Sequence, residues 1–499
     1  MTHRISRSAE KLGRGVGLHD GLQPELAIQR GGDPLGDHFV ETVSAEDRRT
    51  QGATLTPSWL IDLQLDRIAM RLVPARVIDA GAGTGRYALA AARRWPCAKI
   101  IAIEKDPILA EAIRINARVA RLKIQVICAD YLAVNLPPID GVTAFIGNPP
   151  YVRHHDIPAE HKLWYSNNMR KLGLPDSQLA GLHIYFYLKS YRLARPGDVG
   201  CFVTAAEWFE SNYGESMRRL FCIMGGTALT RVHPGEQVFH DALTTSVIAE
   251  WGVGTHAPIG FSDLVNHGIQ HQFDADYDQV IALPKWPGYG QPLPDPPALG
   301  PKIGDYFKVS RGQVTGCNEV WIATKETEML IPDRFLFPCI TNALDIIDAN
   351  GVIDDPRALK RVIDLPADLS VLSSAEGKKV HKFLEIAKMV GAADGWIASH
   401  RKPWWRVRLA GPPAIVMSYM SRRPPAFARN QCSARLINIA HGLWPKKQIS
   451  VASQTRIVSW LNQNVLLTMG RTYGGGLVKF EPGDAAQIPL PADGILLNQ

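Results

Sequence analysis

The chain has 499 residues, 46% of them hydrophobic and 21% charged, which is material for two or three globular domains. A net charge of +7 and a pI near 8.9 suit a polyanionic partner without requiring one. The seven cysteines are odd in number and scattered, as in a reducing cytoplasm, and lack the paired spacing of a structural zinc site. No apolar run is long enough to span a membrane, and the basic start has no apolar core for a secretory signal. The expectation is a cytoplasmic protein with no membrane or metal requirement.

Residues 1–49 show no periodicity and are rich in Gly, Arg, His and Asp. They read as a poorly ordered or loosely docked arm, too short for a nuclease domain. Gly52-Ala53-Thr54-Leu55-Thr56-Pro57 follows, then a helical pattern over Ser58–Leu72. Thr56 is placed to cap that helix, with Pro57 at its first position.

A short apolar strand then runs into a Gly-rich turn, Val77-Ile78-Asp79-Ala80-Gly81-Ala82-Gly83-Thr84-Gly85, and a helix over Arg86–Arg94. Glycines there allow close backbone approach to a ligand. The next strand, from Lys99, ends in Glu104, about 20 residues past the glycines, a distance that suits an acid on ribose hydroxyls. A helix begins at Pro107, and a third strand, Ile124–Cys128, leads to Asp130-Tyr131. This is a doubly wound α/β series with an acid at the end of each strand. The turn reads D-x-G-x-G-x-G. Arg86 stands where a dinucleotide fingerprint has its third glycine, and there is no P-loop lysine. The spacing of Asp79, Glu104, Asp130 and Asn148 favours a nucleoside with a cationic, non-phosphate tail, which describes S-adenosylmethionine.

The fourth strand, Val142–Ile146, stops in Asn148-Pro149-Pro150-Tyr151. Neither proline can donate a backbone hydrogen bond, and the loop is stiff. It offers an amide, carbonyls without local partners, and an aromatic ring at the carboxyl end of a strand. One reading is a plain Asn-Pro turn. The other is a cradle for an exocyclic amine on a planar ring. The Asn148 oxygen and the Pro149 carbonyl would accept the amine hydrogens and return electron density to nitrogen, while Tyr151 stacks on the ring.

The ordered set of motifs over Gly52–Trp251 resembles the adenine-N6 DNA methyltransferases of the TaqI and Eco57I type, which have the cofactor motif first and the target-recognition domain last. The resemblance implies a class I, Rossmann-like methyltransferase domain followed by a mixed α+β target-recognition domain. It implies that Thr56 and Pro57 border the methionine end of S-adenosylmethionine and that Asp79, Gly81 and Gly83 cradle it. Glu104 would take the ribose hydroxyls and Asp130 the adenine amine, with Pro107 and Tyr131 flanking the adenine ring. Asn148, Pro149, Pro150 and Tyr151 would be the catalytic loop, with Phe239 stacking on the other face of a flipped base. The partner implied is double-stranded DNA. The amine is paired inside a duplex, so the base must be extruded, at a cost of a few kcal/mol.

Downstream, Gly181–Leu193 reads as a core helix, and Gly200–Thr204 and Ser246–Trp251 as strands. A proline-dense stretch, 283–302, reads as a semi-rigid linker between a catalytic domain (50–282) and a second domain (303–499). In the second domain, the segments around Arg311 and around Arg471, Tyr473 and Lys479 resemble recurrent parts of the Eco57I-type C-terminal region. Between them lies a basic and aromatic cluster: Arg401, Lys402, Trp404, Trp405, Arg406 and Arg408. Phosphate contacts would supply affinity and base-edge contacts the sequence choice; a solvated basic face over core tryptophans is the plainer reading of any one residue.

Three alternatives remain: an RNA-base methyltransferase, a protein-glutamine methyltransferase, and a catalytically silent DNA-binding subunit. The long basic second domain disfavours the protein methylase, and the intact Asn148 loop disfavours the silent subunit. No nuclease-sized segment remains, so restriction would fall to a separately encoded endonuclease.

Overall fold

A computed structural model describes residues 22–44, 54–211, 213–233, 238, 245–283, 285–293, 300–473 and 477–491. The chain divides into two compact units, residues 1–296 with 473–475 and residues 297–472 with 476–499.

The first unit is built on a nine-stranded sheet with the order β3-β2-β1-β4-β5-β7-β6-β8-β9. Strands β1 (Arg76–Ala80), β2 (Lys99–Glu104), β3 (Ile124–Cys128), β4 (Thr143–Gly147) and β5 (Val199–Ala205) run parallel. β7 (Ser246–Gly252) is antiparallel to both β5 and β6 (Gly226–Val232). β8 (Ile259–Val265) and β9 (Gly268–Ala275) complete the edge. The chain winds outward from β1 to β3, then returns to place β4 on the other side of β1. The loops after β1 and β4 therefore part at a topological switch point, where open α/β sheets bind ligands.

Strand residues alternate between two cores, as period-2 geometry requires. Val77, Ile100, Ala144, Ile146 and Val203 pack with helices α3 (Ser58–Ala69) and α4 (Arg86–Arg94). Ile78, Ile101, Phe145 and Phe202 pack on the opposite face. That face carries α6 (Ala159–Lys171), α7 (Leu182–Leu193) and α8 (Gly214–Ile223). α5 (Pro107–Val119) follows β2, with Asp106 capping its first N–H groups.

Two expectations fail in this unit. Over 22–44 the arm is not loose: it forms α1 (Leu22–Gln29) and α2 (Pro34–Thr42). Ile28 and Leu35 are fully buried against Ala112 of α5, and Asp33 caps α2 through the Gly36 N–H at 3.0 Å. The early part of the proline-dense stretch is also packed rather than free. Trp286 is buried among Trp208, Phe209 and Phe221. Carbonyls of Pro287, Gly288 and Gln291, which a proline-rich stretch leaves without local donors, accept from the buried Arg231 guanidinium at 2.6–3.2 Å.

The second unit has a five-stranded sheet ordered 307–311, 440–445, 415–418, 427–430, 352–353. Ile457, Val458 and Leu461 of the helix Val451–Asn464 cover it, meeting Phe307, Met417, Phe427 and Leu443. A separate core joins Trp321, Ile363, Phe383 and Leu384 beneath the helix Ser374–Met389.

Gly200 of β5 lies opposite Trp251 of β7, and a Cβ at position 200 would sit 1.9 Å from the Trp251 ring. The tryptophan is fully buried against Phe202 and Tyr187, so it has nowhere to move. Gly200→Ala should therefore destabilise the first unit by about 1–3 kcal/mol, seen as a lower denaturant midpoint. A midpoint equal to wild type would show that this packing is not tight.

Candidate active site

The switch point opens into a cavity of about 520 Å³ lined by the loops after β1, β2, β3 and β4, within the size range of small-molecule sites. Gly81, Gly83, Glu104, Pro107, Asp130 and Tyr131 all line it. Thr56, Asn148 and Pro150 line it as well. Asp79, Pro57, Pro149 and Tyr151 are not among the lining residues.

Each carboxylate has a structural reason for its position. Asp79 is fully buried in β1 and accepts from the Ala88 N–H of α4 at 2.9 Å, while its Oδ1 has no hydrogen-bond partner. Burial pushes this carboxyl up to about 8; the Ala88 N–H opposes that shift and the nearby Glu104 adds to it. Glu104, at the end of β2, accepts from the N–H groups of Gly83 and Asp106 at 2.8 and 2.9 Å. These bonds offset part of the upward push that burial exerts on its carboxyl. Each of its oxygens keeps lone-pair capacity for a further donor. Asp130 accepts from the Leu132 N–H at 2.8 Å, and its other oxygen lies 3.2 Å from His161 Nε2. Tyr131 is fixed by Ser190 Oγ at 2.8 Å and packs on Phe186, 5.0 Å between ring centroids.

The Asn148 amide is held from one side only. Its Nδ2 donates to the Thr54 carbonyl at 3.3 Å and to Thr56 Oγ1 at 3.2 Å. Its Oδ1 is buried without a partner. The hydrogen-bond pattern assigns the amide orientation: with both donors satisfied, the carbonyl end remains as an acceptor. Gly147 makes the placement possible. Its φ is +144°, and a Cβ there would lie 3.1 Å from the Ala80 carbonyl and 3.6 Å from Asp79 Oδ1. Thr56 does not cap α3 as expected. Pro57 is the capping residue, without a side-chain bond, because the Thr56 hydroxyl is taken up by Asn148.

Tyr151 meets His183 edge-on at 6.5 Å. Burial pushes the His183 imidazole down to about 4, so it is neutral at pH 7. Phe239 lies outside the described residues. Two features of the site carried no sequence signal: His161, a lone histidine in α6 that reaches Asp130 across 31 residues, and the lining of the cavity by Phe39 of α2.

The cavity is poor in available positive charge. Arg86 is consumed by ion pairs to Asp33 and Asp37, both at 2.8 Å. Glu104, Asp106, Asp130 and Asp156 line the walls, with Lys105 as the other cation among the lining residues. Such a site suits hydroxyls, an exocyclic amine and a cation better than a phosphate chain.

In the second unit the basic residues divide into two groups. Arg311 pairs with Glu481 at 2.6 Å and Lys479 with the same acid at 2.5 Å. Arg471 pairs with the buried Asp484 at 2.6 Å, and Tyr473 ends the same short strand. Arg401 donates to the carbonyls of Val314 and Thr315. Trp404 packs on Trp321, and Trp405 donates to the Pro366 carbonyl at 3.0 Å. These tryptophans belong to the core side of the cluster. Lys402 and Arg408 are exposed, Arg406 is half-buried, and among the described residues none of the three forms an ion pair.

The family model for the Eco57I restriction-modification methylase matches residues 139–239. A general methyltransferase domain matches 77–163, and the C-terminal domain of type II methyltransferase M.Eco57I matches 300–498. Type II methyltransferase M.XamI of Xanthomonas campestris pv. amaranthicola is 42% identical over 468 residues, spanning 92% of this chain and 87% of that protein. The chain belongs to the type II restriction-modification methyltransferases. Type II methyltransferase M.AccI of Acinetobacter calcoaceticus is 25% identical over 69% of this chain and 67% of its own length. The type IIL restriction-modification enzyme MmeI, whose structure was solved in complex with DNA, shares the fold at a TM-score of 0.56 and 12% identity, over 92% of this chain and 70% of MmeI. The fold is thus a methyltransferase domain on a central mixed sheet, followed by a sheet-rich C-terminal region.

The buried carboxyl of Asp79 sets a pH dependence for this methyltransferase. The folded protein keeps its proton up to about pH 8, whereas an unfolded chain releases it near the ordinary value of 3.8. The folded state therefore binds more protons between these limits, and the contribution of Asp79 to stability falls as pH rises from about 4 to about 8. Asp79→Asn keeps an acceptor for the Ala88 N–H and removes the titration. Its stability relative to wild type should grow with pH across that window, as measured by denaturant midpoints. A constant difference would show that Asp79 is ionised throughout.

Proposed function

We propose that the chain is a site-specific DNA methyltransferase that moves a methyl group from S-adenosylmethionine to N6 of an adenine extruded from duplex DNA. The observation that carries this reading is the Asn148 amide, whose donors are both engaged by Thr54 and Thr56 while its buried oxygen has no partner. An acceptor fixed in this way costs no reorganisation when positive charge develops on an attacking amine. A fully buried polar atom without a partner is also expensive unless a ligand satisfies it.

The cavity residues fit the cofactor. A Cβ at Gly81 would meet Phe186 at 3.3 Å and Pro150 at 3.6 Å, so the bare glycine leaves room for a ligand between them. Glu104, held by two backbone N–H groups, would accept the ribose hydroxyls. Asp130 would accept the adenine amine, between Pro107 and Tyr131. Thr56 and Pro57, with Gly83, would border the amino-acid end, and the buried Asp79 would support the Gly-rich turn through the Ala88 N–H. When bound, S-adenosylmethionine supplies an electrophilic methyl group on a sulfonium. Asn148 and the Pro149 carbonyl would hold the target amine, with Pro150 keeping the loop stiff. Tyr151 and Phe239 would stack on the faces of the base. An unpaired base is required, because duplex pairing occupies both the amine and the space around it.

Duplex DNA as the substrate is supported by the second unit, which a protein-glutamine methylase would not need, and by kinship with restriction-modification methylases. Of the residues expected to meet DNA, Lys402, Arg406 and Arg408 are without an ion pair among the described residues and would meet phosphates; Arg311, Arg401, Arg471 and Lys479 are held by protein contacts, and Tyr473 would add an aromatic ring. A separately encoded endonuclease would complete a restriction system. No step calls for a metal.

The test is methyl transfer from labelled S-adenosylmethionine to genomic DNA lacking adenine methylation, with modified bases located by sequencing. Wild type should place N6-methyladenine at one short recurring sequence, and Asn148→Ala should lose at least about 100-fold in rate. Label entering RNA or protein but not DNA would overturn the reading.

A further inference from the structure

A buried carboxylate at the start of α2 reaches into the scaffold of the cofactor cavity. Asp33 is 8% exposed. Its Oδ2 accepts from Thr84 Oγ1 at 2.5 Å and from Arg86 Nε at 2.8 Å. Its Oδ1 accepts from Asn116 Nδ2 at 3.2 Å and from the Gly36 N–H at 3.0 Å. Thr84 lies in the Gly-rich turn, Arg86 opens α4 and Asn116 belongs to α5, so one side chain joins α2 to three parts of the cofactor-binding scaffold. Arg86 extends the tie, donating to Asp37 at 2.8 Å and to the Thr56 carbonyl at 3.3 Å. Leu55 fills the space between: one of its methyls lies 3.0 Å from a Cβ built on Gly36, the other 3.6 Å from one built on Gly83. Phe39, one turn along α2 from Leu35, is 7% exposed and lines the cavity.

We propose that the segment Leu22–Thr42 is an integral wall of the S-adenosylmethionine site, in which Phe39 is a cofactor-contacting residue and Asp33 a positioning residue that locks this wall to the Gly-rich turn. The proposal rests on the cofactor reading above. It also explains Arg86, which stands where a dinucleotide site has glycine. The guanidinium neutralises the buried Asp33, so the carboxylate is not left as an unpaired charge, which would be costly. Phe39 adds an aromatic face for a nucleoside cofactor to those of Tyr131 and Phe186.

The experiment measures binding of S-adenosylhomocysteine to the full-length protein by calorimetry, together with hydrogen exchange of the wild type. Phe39→Ala should weaken binding about tenfold while leaving affinity for DNA without cofactor unchanged. Phe39→Leu, which restores apolar bulk, should recover most of the loss. Asp33→Asn should raise the KM for S-adenosylmethionine more than it lowers kcat. In the wild type, S-adenosylhomocysteine should slow exchange of the amides of Leu35–Thr42, a readout that needs no variant to fold. Wild type that binds S-adenosylhomocysteine, with Phe39→Ala equal to it and no protection over Leu35–Thr42, overturns this proposal alone. Wild type that binds no S-adenosylhomocysteine overturns the cofactor reading, and the wall with it.

Discussion

Two hydrogen bonds set the one acceptor on which the proposed chemistry depends. Asn148 spends both amide hydrogens on Thr54 and Thr56, and what is left is a carbonyl oxygen buried without a partner. An asparagine free to flip would offer a donor as readily as an acceptor. The strand before it, the glycine at 147 and the prolines after it hold the backbone. The segment upstream of α3 holds the side chain. The strand-end loop and the helix-entry loop come from positions 92 and 94 residues apart, and the switch point between β1 and β4 brings them together.

Electrostatics support the same centre. The sheet delivers Asp79, Glu104 and Asp130 to neighbouring strand ends, and backbone N–H groups satisfy part of each. The cation that follows the Gly-rich turn, Arg86, is paired with Asp33 and Asp37. A phosphate-binding turn exposes N–H groups and a lysine; this one has its Gly83 N–H occupied by Glu104 and no lysine. Acid-rich walls and an arginine already paired leave the cavity with acceptors to spare.

Much of the first unit was legible in the sequence, because parallel strands buried on both faces read as apolar runs and Gly-rich turns mark their ends. The helix Arg86–Arg94, the strand Ile124–Cys128 and the acid at the end of β2 coincide with their expected positions. Helices α1 and α2 were not legible. They are short, and the carboxylate that docks them finds its donors 51 to 83 residues away. The role of Thr56 was misread for a similar reason: a threonine before Ser-Trp-Leu looks like a helix cap, and nothing local reveals that Asn148 competes for its hydroxyl. Trp286 shows the converse, where proline density suggests a semi-rigid linker and one tryptophan with a distant arginine packs it down. In the second unit, composition identified a basic bias, but only the fold separates cations bound by Glu481 and Asp484 from Lys402 and Arg408.

The most direct measurement of the central claim is the single-turnover rate of methyl transfer by Thr56→Val, read beside its affinity for S-adenosylhomocysteine. Valine keeps the shape of threonine and removes one of the two acceptors that fix the Asn148 amide. A rate reduced about 10- to 100-fold, with affinity and melting temperature near those of wild type, would show that amide orientation governs the chemical step. A rate equal to wild type would contradict that claim and leave the Thr56 bond without a part in the chemical step.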